Sequence, residues 1–197
     1  MTDVAVREQK MALRRTVLAE RAALTVDARQ VASARVCDHL AEVPQVMASR
    51  ALIAYAAFGA EANIDPLLAA LIERGAGVLL PWVEGAELRL ARVRDLEADL
   101  APGWRGVREP RMSGRRPARA DRVDLVLTPL VAFDDRGRRL GYGGGHFDRL
   151  LARVAPGTTV IGVAYAMQQC AVIPTETHDV PLDLVVTDDG VLQPGQS

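Results

Sequence analysis

Cysteine is nearly absent: Cys37 and Cys170 are the only two in 197 residues. Two are too few for a disulfide framework or a zinc site, and they read as reduced thiols of a cytoplasmic protein. Excess charge of either sign is also missing. A formal net charge of −1 argues against general attraction to nucleic acid or to a membrane surface. No run approaches the roughly 20 apolar residues of a membrane span, and the N-terminal MTDVAVREQKMALRR has no apolar segment of signal-peptide length. There is no internal repeat. The only low-complexity piece is QPGQS at residues 193–197, expected to be a flexible tail. With 49% hydrophobic and 25% charged residues, the chain has enough apolar material for one core, and a single domain over 1–197 is expected.

What is present centres on Val123–Arg153, VDLVLTPLVAFDDRGRRLGYGGGHFDRLLAR. Val123, Leu125, Val126 and Leu127 form a short apolar run suited to a buried strand. A turn rich in Asp and Gly follows at Asp134–Gly137. Gly141, Gly143, Gly144 and Gly145 then fall within five residues, flanked by Arg138, Arg139 and Arg149. Beyond them Phe147, Leu150, Leu151 and Val154 take helical spacing. Strand, glycine loop and helix start suit a phosphate, because backbone N–H groups crowd around an anion that arginines neutralise. A plain tight turn is the alternative. A Walker loop is excluded, since no Lys-Ser/Thr pair follows the glycines. The dinucleotide fingerprint fails at His146, and no acid lies near 161–166 to hold a ribose. Asp148 beside an anion site implies a bridging cation, as Mg²⁺ with a nucleotide would provide.

Elsewhere, residues 4–24 are expected to form an amphipathic helix with Leu13, Val17 and Leu24 on one side. Lys10 and Arg14 share a face, with Arg21 further along; spacing alone favours a solvated basic face. A second helix should start at Thr25–Asp27 and run to Leu40, with Cys37 and His39 structural. Ala51–Ala56 and Val78–Val83 read as strands separated by a helix near Pro66–Glu73, and Leu88–Val93 as a half-exposed strand. Glu61 lies on the loop after the first of these, where open α/β sheets place ligand-binding groups; a solvated loop acid is the plainer alternative. Trp104–Arg122 carries seven arginines without apolar periodicity and reads as a mobile surface loop. It lacks the interleaved aromatics that stack bases, so nucleic acid is not an expected partner. Thr158–Ala164 and Leu184–Thr187 complete a layered α/β domain with a mostly parallel central sheet flanked by helices.

The run PLVAFDDRGRRLGYGGGHFDRLL closely resembles the signature of the 5-formyltetrahydrofolate cyclo-ligase family, a Phe-Asp turn followed by Arg-Leu-Gly-x-Gly and Gly-Tyr-Tyr-Asp. Lys10-x-x-Leu13-Arg14, Tyr55 with Glu61, Gly106–Pro110, and Gly162–Tyr165 with Gln168 resemble its other landmarks. So do Pro174, Glu176, His178-Asp179 and Leu182-Asp183, which extends the resemblance from Lys10 to Thr187. His146 and Phe147 stand where the family usually has two tyrosines.

The resemblance implies ATP- and Mg²⁺-dependent cyclisation of 5-formyltetrahydrofolate to 5,10-methenyltetrahydrofolate with release of ADP and phosphate, and a monomer is expected. It implies that Lys10 and Arg14 reach the ATP phosphates, and that Arg139, Leu140, Gly141, Tyr142, Gly143, Gly144, Gly145, His146 and Phe147 wrap the triphosphate. Lys10 and Arg139 are the expected catalytic cations. Ala56, Glu61 and residues 142–146 would line the folate pocket, and Asp148 and Asp179 would hold Mg²⁺. The competing classes are a non-catalytic nucleotide-binding module and an RNA-associated protein using the Arg105–Arg122 stretch.

Overall fold

A computed structural model describes residues 3–174 and 181–195. Three helices come first, α1 (Asp3–Ala23), α2 (Val26–Glu42) and α3 (Pro44–Ala48). Thr25 caps α2 by accepting a hydrogen bond from the Ala28 N–H at 3.1 Å, satisfying one of the helix's unpaired first-turn donors. Strand β1 (Ala51–Ile53) leads through α4 (Asp65–Glu73) to a hairpin of β2 (Gly77–Glu84) and β3 (Glu87–Val93). Pro66 sits at the start of α4 and Gly75, at φ +91°, ends it, the usual asymmetry of helix termini.

The arginine-rich stretch is more structured than its lack of periodicity suggests. Within it β5 (Arg108–Pro110) pairs with β4 (Leu100–Pro102). Next come β6 (Leu125–Pro129), the small hairpin β7 (Ala132–Phe133) and β8 (Arg139–Leu140), and α5 (His146–Leu151). The chain ends in β9 (Thr159–Val163), β10 (Leu184–Thr187) and β11 (Gly190–Leu192).

Seven strands form one sheet in the order β11-β10-β9-β6-β1-β2-β3. The five inner strands are parallel, and β3 and β11 add antiparallel edges. Both faces are covered, so adjacent residues of one strand enter different cores. Leu52, Leu125, Leu127 and Val186 join the core containing Leu40 and Leu68 of α2 and α4. Ile53, Val126 and Val185 join the core containing Leu150 and Leu151 of α5. Helix α1 lies apart, its Val17 buried against Val131, Ala132, Leu140 and Ile173.

The feature that positions the site is the join between β1 and β6. From β1 the chain moves outward to β2, and from β6 it moves the other way to β9 and β10. Loops leaving the carboxyl ends of these neighbouring strands therefore diverge and leave a crevice, the place where open α/β sheets bind ligands.

Candidate active site

That crevice is a cleft of about 640 Å³. Tyr55, Ala56 and Glu61 enter it from beyond β1, Thr128 and Pro129 from the end of β6, and Lys10 and Arg14 from α1. The β7–β8 hairpin supplies Arg139 and Leu140, and the segment from Gly141 to Asp148 closes one side. Every site residue expected from the sequence, Asp179 apart, lines this cleft. Asp179, with Glu176 and His178, lies outside the described residues.

The glycine loop is held in place by arginine side chains. Arg14 Nε donates to the Gly141 carbonyl at 2.6 Å. A Cβ on Gly143, at φ +94°, would stand 3.4 Å from the same guanidinium, and one on Gly145, at φ +63°, would meet Arg149 at 2.8 Å. Arg149 in turn donates to the carbonyls of Gly144 and Ala86, tying the loop to the β2–β3 turn. Positive φ is costly for any residue with a Cβ, so these two glycines are conformational requirements.

Asp134 fixes the hairpin that feeds the loop. It is fully buried and accepts from the N–H groups of Arg136, Arg138 and Ile173 and from Arg138 Nε at 2.6 Å. Burying a carboxylate is tolerable only with this degree of pairing. The hairpin then delivers Arg139 into the cleft, where its buried guanidinium pairs with Asp148.

Spacing alone favoured a solvated basic face for α1, but packing of Val17 on the hairpin reverses this. Lys10 is only 6% exposed and Arg21 only 4%. Arg21 Nη1 donates to the Leu130 carbonyl at 3.1 Å, and Nη2 to the Tyr142 hydroxyl at 2.5 Å. Tyr142 donates to Glu61 Oε1 at 2.6 Å, and Oε2 accepts from the Phe58 N–H at 2.9 Å. Glu61 is thus a buried, doubly bonded acid. Burial pushes its carboxyl above the usual range, partly opposed by the Tyr142 and Phe58 hydrogen bonds and the Arg21 charge. Burial likewise raises the Tyr142 phenol, with the Glu61 charge adding to it.

Beside the glycine loop the lining is aromatic. Trp104 meets the His146 ring edge-on at 6.1 Å, and the Arg105 guanidinium lies 4.5 Å from the Trp104 ring centre. His146 Nδ1 lies 3.1 Å from the Ala86 carbonyl. Residue patterns alone missed Trp104 and Phe58 as cleft residues and Arg21 as a buried cation behind Tyr142. The signal available was that Trp104 is one of only two tryptophans and heads an otherwise polar stretch. His39, read as structural, bonds the Thr187 carbonyl at 2.8 Å.

Among the described residues, no group of three or more His, Cys, Asp or Glu forms a ready-made metal site. Asp148, with its side chain 35% exposed beside the glycine loop, offers one carboxylate. One carboxylate completed by phosphate oxygens and water fits Mg²⁺, which keeps much of its hydration. Among the described residues, no helix is long and apolar enough to cross a membrane.

Residues 6–188 match the model of the 5-formyltetrahydrofolate cyclo-ligase family. The chain is 31% identical over 174 residues to the 5-formyltetrahydrofolate cyclo-ligase of Escherichia coli strain K12, covering 87% of this chain and 96% of that one. It is 30% identical over 183 residues to the corresponding Haemophilus influenzae protein, covering 91% and 98% respectively. In three dimensions it superposes on the 5,10-methenyltetrahydrofolate synthetase of Aquifex aeolicus with a TM-score of 0.83 and 34% identity, over 95% of this chain and 94% of that one.

Proposed function

We propose a mechanism from one premise: the chain belongs to the 5-formyltetrahydrofolate cyclo-ligase family and is an enzyme of that kind. The reaction is ATP-dependent closure of 5-formyltetrahydrofolate to 5,10-methenyltetrahydrofolate. The observation that carries this reading is the convergence, in one cleft, of buried cations and a glycine loop with the recessed carboxylate of Glu61. One half suits a triphosphate, and the other suits a heterocycle rich in N–H donors.

The N5-formyl group is an amide, whose carbon is a weak electrophile and whose oxygen is a poor leaving group. Attack of that oxygen on the γ-phosphorus breaks the bond to ADP and leaves a phosphorylated iminium. N10 then attacks the carbon, phosphate departs with the former formyl oxygen, and loss of the N10 proton gives the methenyl cation. No side chain need become covalently attached. Positioning and neutralisation of charge suffice.

Lys10 and Arg14 hold the phosphates, the backbone N–H groups of the Gly141–Gly145 loop surround them, and Arg139 stabilises the charge that moves with the γ-phosphoryl group. Glu61 accepts hydrogen bonds from the pterin's amino and ring N–H groups, with Ala56 and residues 142–146 completing that pocket. Asp148 and Asp179 are the carboxylates assigned to Mg²⁺, which when bound shields the phosphate oxygens.

The oxygen pathway is the test. With substrate carrying ¹⁸O in the formyl group, the heavy atom is expected in the released inorganic phosphate, read by mass spectrometry. Its appearance in water instead would rule out phosphorylation of the formyl oxygen.

A further inference from the structure

Arg21 is outside every role assigned above, and its surroundings are unusual for a structural arginine. A buried guanidinium is costly unless its charge and donors are met. Among the described residues the carboxylate that feels the Arg21 charge is Glu61, reached through the Tyr142 hydroxyl, and Arg21 Nε has no partner. Its charge meets a backbone carbonyl and one hydroxyl, that of Tyr142. That hydroxyl has a single proton. Because it accepts from Arg21, the proton is committed to Glu61, and the chain Arg21 N–H to Tyr142 O–H to Glu61 carboxylate runs in one direction. The three residues come from the end of α1, the glycine loop and the loop after β1, and only the folded sheet brings them together.

We propose that Arg21 is a positioning residue for the folate-recognising carboxylate of Glu61, acting through the Tyr142 hydroxyl. This rests on the reading of Glu61 as the pterin-binding group. A pterin edge presents adjacent N–H donors, and pairing with them requires a carboxylate that is both fixed in orientation and ionised. Tyr142 and Phe58 fix one oxygen each, leaving the remaining lone pairs for ligand. Arg21 fixes Tyr142, and its charge opposes the desolvation that favours the neutral acid.

Other charged or titratable groups that line a groove with Glu61 include Tyr55 beyond β1, Tyr165 after β9, Lys10 and Arg14 on α1, Arg108 on β5, Arg139 on β8, and Arg29, Cys37 and Asp38 on α2 across a second groove. The Tyr165 hydroxyl lies 3.3 Å from the Glu61 backbone carbonyl. The phenols of Tyr55, Tyr142 and Tyr165 are all raised above their ordinary value by burial, so none of them titrates at mildly acidic pH.

The test uses the full chain as wild type, Arg21→Met, Tyr142→Phe and the double variant, assayed for methenyl product from acidic to alkaline pH. Each single change is expected to raise KM for 5-formyltetrahydrofolate about tenfold and to leave KM for ATP within about twofold, as loss of one charge-assisted bond at the folate end would. The acid limb of kcat/KM for folate should move to higher pH in both. The double variant should be no worse than the weaker single one, since both act on one carboxylate. Tyr142→Phe added to Glu61→Gln should leave the pH profile where Glu61→Gln put it.

An unchanged folate KM and acid limb in folded, active Tyr142→Phe would overturn the proposal. So would a parallel rise of both KM values with a falling Tm, the mark of a purely structural tie. If Arg21→Met does not fold, Arg21→Gln, which drops the charge but keeps an N–H donor, carries the same decision. If wild type makes no product, the cyclo-ligase reading has failed. Binding of 5-formyltetrahydrofolate by tryptophan quenching over the same pH series then decides the role of Arg21 separately.

Discussion

Lys10 is the only lysine in the chain, so an amine-directed reagent can report on it and on the N-terminus alone. Its near-complete burial means that its charge has little solvent screening, and removing it should be felt where phosphate charge is held. Lys10→Ala and Arg139→Ala are each expected to lower kcat by roughly 10²–10³, the usual cost of one preorganised electrostatic contact, with unchanged far-ultraviolet circular dichroism. Near-normal turnover in both would contradict the assignment. The positions of Lys10, Glu61 and Arg139 were legible in the sequence, but their burial was not. Lys10 and Arg14 have the spacing of any exposed basic face, and Glu61 resembles any loop acid until Tyr142, 81 residues away, donates to it. His146 and Phe147, in place of two tyrosines, have local duties in the fold. The His146 ring lies against Ala86 and Trp104, and Phe147 packs partly buried against both large cores.

Elements with long periodic patterns were readable and short ones were not. The first two helices and the main parallel strands follow their apolar spacing within a few residues. By contrast α3, the β4–β5 pair, the β7–β8 hairpin and β11 run only two to five residues, too few to show any period. The β7–β8 hairpin matters most, because it carries Arg139 and opens the glycine loop. Its geometry depends on Asp134, whose partners include Ile173 from a distant segment. Asp134→Asn replaces a buried, paired carboxylate with a group that cannot accept all four bonds. It should cost about 3 kcal/mol and lower Tm by roughly 6–12 °C for a chain of this size. A wild-type melting curve would show that the turn is held by something else.

At the scale of the molecule, a sheet whose strand order reverses between β1 and β6 places the cleft before any catalytic residue is considered. Such sheets serve many functions, and the choice among them rests on what fills the crevice. The RNA-associated alternative depended on a solvated arginine array. In the fold, Arg108 pairs with Asp65 and Arg115 with Glu109, and Trp104 and Arg105 line the cleft, whereas Arg111, Arg116, Arg119 and Arg122 stay exposed. The central claim is that phosphate and folate ends of one cleft cooperate in ATP-driven ring closure. The most direct measurement mixes the protein with 5-formyltetrahydrofolate, Mg²⁺ and ATP and follows the long-wavelength absorbance of the methenyl product, beside a control without ATP. The account predicts a rise that requires ATP. No rise, from folded protein shown to bind ATP, would contradict it.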